Sequence, residues 1–193
     1  MGVNLSKGQG ISLEKAGGGL TSVRMGLGWQ AVQRKGLLSK MFGTREIDLD
    51  ASAVLFSGQE AVDVVYFNKL VGDDGSVTHT GDNLTGGEGQ GGDDESIIVD
   101  LSRVPQKVDQ IVFTVNSFTG QTFAEVENAF CRLVDEAGGE ELARYTLTGG
   151  GSSTAQIMAK VHRSPTGWTM TAIGAPAGGR TFKDLLPAVV PHL

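Results

Sequence analysis

Residues 47–56 read Ile-Asp-Leu-Asp-Ala-Ser-Ala-Val-Leu-Phe. The first half alternates apolar and acidic residues, which is typical of a β-strand with one buried face. The second half is almost continuously apolar, which indicates that both faces of the strand are covered there. The stretch therefore predicts a strand that carries carboxylates at its start and enters a core at its end.

Strand patterns recur along the whole chain between glycine-rich turns. Glycine accounts for 29 of 193 residues, about twice its usual share, and has no collagen-like period. Short strands separated by tight turns predict an all-β chain, folded as a two-sheet β-sandwich with short helical segments and a C-terminal helix. The predicted strands are 20–29, 47–56, 62–67, 76–79, 97–101, 110–116, 128–135, 141–147, 156–162 and 168–173.

Four further segments predict a hairpin, a strand that could also be a helix, and two short helical segments. Residues 3–14 alternate apolar and polar side chains on both sides of a glycine turn, which predicts an N-terminal hairpin. Residues 128–135 fit a helix as well as a strand, and we favour a strand because the neighbouring segments are strands. Residues 122–126 predict a short helical turn, and residues 181–190 predict a terminal helix.

Length and composition limit the class of protein. At 193 residues the chain suits one well-buried core, and we expect residues 1–193 to form a single domain. No apolar run reaches the roughly 18 residues of a membrane-spanning helix, and the N-terminus lacks the apolar stretch of a secretory signal. The single cysteine, Cys131, excludes an internal disulfide, and its apolar neighbours predict a buried thiol. These features predict a cytoplasmic protein.

The charge is unevenly distributed. The chain has 16 basic and 22 acidic residues, for a net charge of −6. Residues 70–102 contain eight of the acidic residues and no Lys or Arg, so the rest of the chain carries 16 basic and 14 acidic groups. Such an anionic region repels nucleic-acid phosphates and attracts cations. Nucleic acid is therefore not an expected partner.

Residues 34–45 have the opposite bias. They contain four basic residues, four large apolar residues and no acidic residue. This inserted loop could contact an anionic membrane surface or a partner protein, or it could be a solvated connection. The first alternative would place the protein peripherally at the inner face of the membrane.

Oxygen-bearing side chains concentrate near the acidic loops. Asp48 and Asp50 are two residues apart on one strand, so both carboxylates share a face. Hard cations, Ca²⁺ above all, take about six to eight oxygen ligands, while glycines allow backbone carbonyls to turn inward. The pattern predicts a Ca²⁺ site assembled from separate loops. Its candidate ligands are Asp48, Asp50, Asn68, Asp82, Asn83, Glu88, Asp93, Asp94 and Glu95.

Long blocks of the chain carry a family resemblance. Residues 26–29, 47–52, 74–86 and 92–95 resemble the signature blocks of the TerD family of tellurium-resistance and stress-response proteins. Residues 115–123 and 128–135, together with the basic insertion, bring the resemblance nearest to the TerZ branch of that family.

The resemblance implies a β-sandwich that binds Ca²⁺ at two adjacent sites in the bacterial cytoplasm. It also implies partners, namely other TerD-family paralogues and a TerC-type membrane protein. The family's acidic ligands fall on Asp48, Asp50, Asp82, Asp93, Asp94 and Glu95, with Asn68, Asn83 and Glu88 as further contributors.

These observations favour a non-enzymatic, Ca²⁺-binding module whose ion-ordered acidic loops form a partner-binding surface. The alternative is a metal-dependent enzyme, either a hydrolase or a tellurite-processing enzyme, that uses the same loops. That alternative requires an open coordination position and a nearby base, and the sequence offers no convincing base.

Overall fold

The computed structural model describes residues 2–15, 18–31, 47–84, 92–147 and 151–193. Within this part of the chain, the strands form two six-stranded sheets and one small two-stranded sheet. The prediction of an all-β sandwich with a C-terminal helix is confirmed. None of the helices in the described residues has the length and apolar character needed to span a bilayer.

Fourteen strands and one α-helix are formed by the described residues. The helix, α1, spans Phe182–Val189, and a 3₁₀ turn spans Phe123–Glu125. The strands are β1 (Val3–Asn4), β2 (Gly10–Ser12), β3 (Glu14–Lys15), β4 (Gly18–Gly19), β5 (Ser22–Ala31), β6 (Leu49–Ser57), β7 (Glu60–Val65), β8 (Val77–His79), β9 (Glu95–Asp100), β10 (Gln110–Ser117), β11 (Val126–Asp135), β12 (Glu141–Thr146), β13 (Ala155–Ser164) and β14 (Gly167–Ala177).

The two large sheets each contain six strands. Sheet 1 has the strand order β1-β12-β11-β5-β9-β8, and sheet 2 has the order β2-β14-β13-β10-β6-β7. Their inner faces bury one apolar core, to which β5 contributes Leu27, β6 contributes Leu55 and β10 contributes Phe113. A second, smaller core lies on the outer face of sheet 2, where Leu185 and Val189 of α1 cover the strands.

Strand β6 has the two halves that its sequence predicts. Residues 49–56 are all buried because one face of the strand points between the sheets and the other points toward α1. Asp50 directly faces Asn116 of β10 in the antiparallel register. The carboxylates therefore lie at one end of the sandwich, where β6 begins and β10 ends.

The predicted N-terminal hairpin is wrong. Strand β1 pairs in parallel with β12 in sheet 1, whereas β2 pairs antiparallel with β14 in sheet 2. Leu5 and Leu13 are both buried in the core between the sheets. Each short strand gains more by extending the edge of a large sheet than by forming an isolated two-stranded hairpin, which is marginally stable. The alternation was real, but it reflects two different sheet edges.

The ambiguous segment 128–135 is a strand, as favoured. It belongs to β11, which pairs with β5 and β12. A bulge between Glu127 and Phe130 interrupts its pairing with β5, and Asn128 has a φ of 52°. The predicted helical turn at 122–126 and the terminal helix are also confirmed as the 3₁₀ turn and α1.

Candidate metal centre

Three aspartates converge at the β6 end of the sandwich. Asp48 and Asp50 lie at the start of β6, and Asp82 comes from the loop that follows β8. One carboxylate oxygen from each lies within 4.8 Å of the others. We call Asp48, Asp50 and Asp82 the aspartate trio. Among the described residues, this is the group of acidic side chains whose spacing suits a single ion.

Asn116 adds an amide to the trio. Its side chain is 1% exposed, and its Nδ2 donates hydrogen bonds to Asp50 Oδ2 at 2.9 Å and to the Arg180 carbonyl oxygen at 2.6 Å. These two acceptors fix the orientation of the amide, so Oδ1 is left as its free acceptor. Asn116 thus places a buried, neutral amide next to Asp50.

Two oxygens at this end are buried and unsatisfied. Asp48 Oδ1 and Asn116 Oδ1 have no hydrogen-bond partner among the described residues. A buried polar atom without a partner costs about 1–3 kcal/mol and calls for an explanation such as a bound ion. A cation held by the trio would satisfy Asp48 Oδ1.

Burial and nearby negative charges raise the pKa values of Asp48 and Asp50. Burial, followed by the charges of Asp82 and Glu95, raises the pKa of Asp48 to about 6. Burial raises the pKa of Asp50 to about 8, with Asp48 the largest charged contributor. Both shifts have the same meaning: the native fold disfavours negative charge here unless a positive charge accompanies it.

Three consecutive acidic residues, Asp93-Asp94-Glu95, have partners among the described residues. Asp93 is 4% exposed in its side chain and pairs with Arg24 Nη1 at 2.5 Å and Arg132 Nε at 2.6 Å. These arginines project from the outer face of sheet 1. A Cβ at Gly26 would lie 2.2 Å from Asp93 Cγ, so the glycine leaves room for the carboxylate against the strand.

Asp94 and Glu95 bind backbone amides. Asp94 Oδ2 accepts a hydrogen bond from the Trp29 N–H at 2.8 Å. Glu95 Oε2 accepts one from Ala51 N–H at 2.8 Å, and its Oε1 accepts one from Asn83 N–H at 3.1 Å. The end of the acidic loop is therefore hydrogen-bonded to both sheets, to β5 of sheet 1 through Asp94 and to β6 of sheet 2 through Glu95.

Comparison with known proteins assigns the chain to a family. A family model described as the TerD domain matches residues 1–186. The chain belongs to the TerD family. It is 48% identical to tellurium resistance protein TerZ of Serratia marcescens over 190 residues, which cover 97% of each chain. It is 37% identical to stress response protein SCP2 of Bacillus subtilis (strain 168), covering 98% of this chain and 100% of that one.

A solved structure shares the TerD fold. It is a homologue of telluride resistance protein (TerD) from Streptomyces coelicolor A3(2), with a TM-score of 0.71 and 20% identity. The match covers 87% of this chain and 96% of that one. Agreement at this low identity supports the sandwich architecture alone.

The structure separates the ligands that the TerD resemblance implies. Asp48, Asp50 and Asp82 come together. Asn83 lies beside them and contributes a backbone N–H to Glu95. Asn68 is exposed in the turn between Tyr66 and Lys69. Asp93, Asp94 and Glu95 have the partners described above, while Glu88 and the basic insertion 34–45 lie outside the described residues.

Sequence reasoning missed four residues around this TerD site. Asn116 was inside a predicted strand, where a polar residue at the end of an apolar run was the available signal. Arg24 and Arg132 gave no signal, since exposed arginines are common on strands. His79, which is buried beside Glu95 with Nε2 3.5 Å from Oε2, also has no metal-ligand spacing in the sequence.

The cysteine is placed as predicted. Cys131 is fully buried in the core between the sheets. Burial raises the pKa of its thiol to about 12, so the thiol stays protonated near neutral pH. This environment disfavours the thiolate that a nucleophile requires.

Proposed function

We propose that this TerD-family chain is a non-catalytic Ca²⁺-binding module of bacterial tellurite resistance and stress response, acting in the cytoplasm. The names of its relatives, tellurium resistance protein TerZ and stress response protein SCP2, support the biological role. The aspartate trio supports the ion, together with the buried, unsatisfied oxygens Asp48 Oδ1 and Asn116 Oδ1 at the same end of the sandwich.

The donor set favours Ca²⁺. Three carboxylates and the Asn116 amide provide hard oxygens, and carboxylates can bind through one oxygen or two. Ca²⁺ accepts such irregular, oxygen-rich sites, whereas Mg²⁺ demands near-octahedral geometry and retains several waters. One Ca²⁺ would neutralise two of the three negative charges and so offset the repulsion that contributes to the raised pKa values of Asp48 and Asp50.

We propose one ion at the trio. The second ion that the resemblance implies would need ligands beyond it, and Asp93 is already paired with two arginines. Glu88, a further candidate ligand that the resemblance implies, lies outside the described residues. Native mass spectrometry before and after chelation counts the ions directly.

The enzymatic alternative lacks an observation of its own among the described residues. A metal-dependent hydrolase needs a base near an open coordination position. His79 is the histidine nearest the trio, but it is buried and faces Glu95.

Thermal unfolding with Ca²⁺ and with chelator tests the ion. Ca²⁺ at a hundredfold excess over its Kd should stabilise the native state by about 2.7 kcal/mol. Asp82→Ala should abolish this response because it removes one carboxylate of the trio. Glu60→Gln is the matched control, since it removes one negative charge from an exposed residue at the other end of β7. No difference between Ca²⁺ and chelator in the wild-type protein would disprove Ca²⁺ binding.

We also propose that the ion-ordered end of the sandwich is a partner-binding surface. Four aromatic rings form a row there, with centroid distances of 4.9 Å (Phe182–Tyr66), 5.4 Å (Tyr66–Phe67) and 5.9 Å (Phe67–Phe118). Phe118 is 45% exposed, and its N–H donates to the Asp48 carbonyl oxygen at 3.1 Å. The exposed end of the row therefore adjoins the trio, and aromatic residues are enriched in protein interfaces.

A TerD-family paralogue is the partner we propose for this surface. Phe118→Ser should weaken the Ca²⁺-dependent binding of a purified paralogue in a pull-down assay while leaving Ca²⁺ binding intact. If the wild type and Phe118→Ser bind the paralogue equally well, the proposed surface is disproved. A TerC-type membrane protein and anionic vesicles are the other ligands to assay, with a charge-neutralised 34–45 variant as the test for vesicle contact.

A further inference from the structure

Glu95 holds the backbone on two sides of the trio. Its carboxylate accepts hydrogen bonds from the N–H groups of Ala51 and Asn83, the residues that directly follow Asp50 and Asp82. Glu95 itself is 1% exposed. One buried side chain thus fixes the position of two of the three aspartates through their neighbours.

The hydrogen bond from Ala51 to Glu95 takes the place of a missing backbone pairing between β6 and β7. Strand β10 pairs with β6 from Leu49 onward, but β7 pairs with β6 only from Ala53. The start of β6 therefore lacks β7 beside it, and the Ala51 N–H is satisfied by Glu95 from the other sheet. A buried N–H without such a partner would be destabilising.

His79 completes the arrangement. Its Nδ1 accepts a hydrogen bond from the Gly81 N–H at 3.1 Å, so the neutral ring carries its proton on Nε2. That Nε2 lies 3.5 Å from Glu95 Oε2 and has no hydrogen-bond partner of its own among the described residues. The imidazole therefore presents an N–H dipole to the carboxylate of Glu95.

We infer that Glu95 is a positioning residue of the ion site, oriented by His79, and that neither side chain binds the ion. The oxygens that lie within 4.8 Å of one another belong to the trio and do not include one from Glu95. Both oxygens of Glu95 are also directed at backbone N–H groups. The inference rests on the proposed function, because it concerns the same ion.

Europium luminescence distinguishes a ligand from a positioning residue. Eu³⁺ replaces Ca²⁺ at oxygen sites, and the energy of its excitation line depends on the charge of the groups bound to it. Asp82→Asn should shift this line because it removes a ligand charge. Glu95→Gln should leave the line in place while weakening ion affinity about tenfold, the lower end of the effect seen for residues that orient metal ligands.

Two variants of His79 test the orienting role. His79→Gln retains an amide N–H near the position of Nε2, whereas His79→Leu removes both polar atoms. We expect His79→Leu to weaken ion affinity severalfold and His79→Gln to recover part of that loss. Melting in chelator measures stability separately, and a general structural defect would not be relieved by restoring one N–H donor.

Three outcomes would overturn the inference. A Eu³⁺ line shift in Glu95→Gln equal to that in Asp82→Asn would make Glu95 a ligand. Unchanged affinity in folded Glu95→Gln would remove its positioning role. Equal affinities for His79→Gln and His79→Leu would remove the role of His79. If the wild-type chain binds neither Ca²⁺ nor Eu³⁺, the proposed function itself fails, which is a different result from any of these.

Discussion

Two groups of acidic residues at one end of the sandwich behave in opposite ways. In the aspartate trio, burial and neighbouring negative charges raise the pKa values of Asp48 and Asp50, and Asp48 Oδ1 has no hydrogen-bond partner among the described residues. The triplet Asp93-Asp94-Glu95 is equally acidic, but its members face arginines and backbone N–H groups. Each group contains three carboxylates. Their surroundings differ: Asp48 and Asp50 have raised pKa values, whereas Asp93 is the counterion of two arginines.

The largest expected effect comes from removing Asp93. Asp93→Ala leaves Arg24 and Arg132 facing each other on sheet 1 without their shared carboxylate. The arginines are partly exposed, but the Asp93 side chain itself is buried and accepts two hydrogen bonds from charged groups, each worth about 1.5–3 kcal/mol. We expect a loss of about 3 kcal/mol in the free energy of unfolding, measured by urea titration, in both Ca²⁺ and chelator.

Asp73→Ala is the matched control for this loss. Asp73 belongs to the same acidic segment and pairs with Lys69, but its side chain is 81% exposed, so little change is expected. If Asp93→Ala lost Ca²⁺ affinity while its stability in chelator stayed unchanged, Asp93 would be a ligand, and the contrast between the two groups would disappear.

The next effect is a pH dependence of the ion-free protein. The pKa of Asp50 is raised from 3.8 to about 8 in the native state, so the native protein binds this proton more tightly than the unfolded chain. The stability from this group is full below about pH 4 and is lost as the pH rises toward 8. Melting temperatures in chelator should therefore fall between pH 5 and pH 8.5.

Two comparisons isolate the trio as the cause of this fall. Saturating Ca²⁺ should suppress it, because the ion replaces the proton as the positive charge. Asp50→Asn should also reduce it, and at pH 8 this variant in chelator should exceed the wild type by on the order of 1 kcal/mol. An ion-free wild type that is as stable at pH 8.5 as at pH 5 would show that the trio carries no repulsion.

The smallest effect concerns the outer part of the Asp93 network. Glu136 also pairs with Arg24, at 2.8 Å, but both side chains are about a quarter or more exposed. Exposed pairs contribute about 0–1 kcal/mol, so Glu136→Gln should change the free energy of unfolding by less than about 0.5 kcal/mol. A loss as large as that of Asp93→Ala would mean that the network acts as one unit.

The strands were largely predictable, because their signal is local. The alternation along 47–56 and the apolar runs of β10 and β13 correspond to strands in the structure. The N-terminal pairing was not predictable, since residues 3–14 alternate correctly for a hairpin but pair with β12 and β14. Pairing depends on which edges are available, and those edges are formed by residues more than a hundred positions away.

In the candidate site too, some residues were predictable from the sequence and others were not. Asp48 and Asp50 share a strand, so their proximity followed from spacing alone. Asp82 was included because it belongs to the acidic loop, and the fold brings it to the other two. Asn116 was missed because its relation to Asp50 is a cross-strand register, which connects residues far apart in the chain.

By itself, the amino-acid sequence determined the strand pattern, the sandwich class, the family and the presence of surplus negative charge in residues 70–102. Only the tertiary structure decided what surrounds each carboxylate. The three carboxylates of the trio lie close to one another, Asp93 pairs with Arg24 and Arg132, and Glu95 accepts hydrogen bonds from two backbone amides. The reason is physical. A carboxylate's ionisation and role depend on the atoms within a few ångströms of it, and in an antiparallel sandwich most of those atoms come from distant parts of the chain.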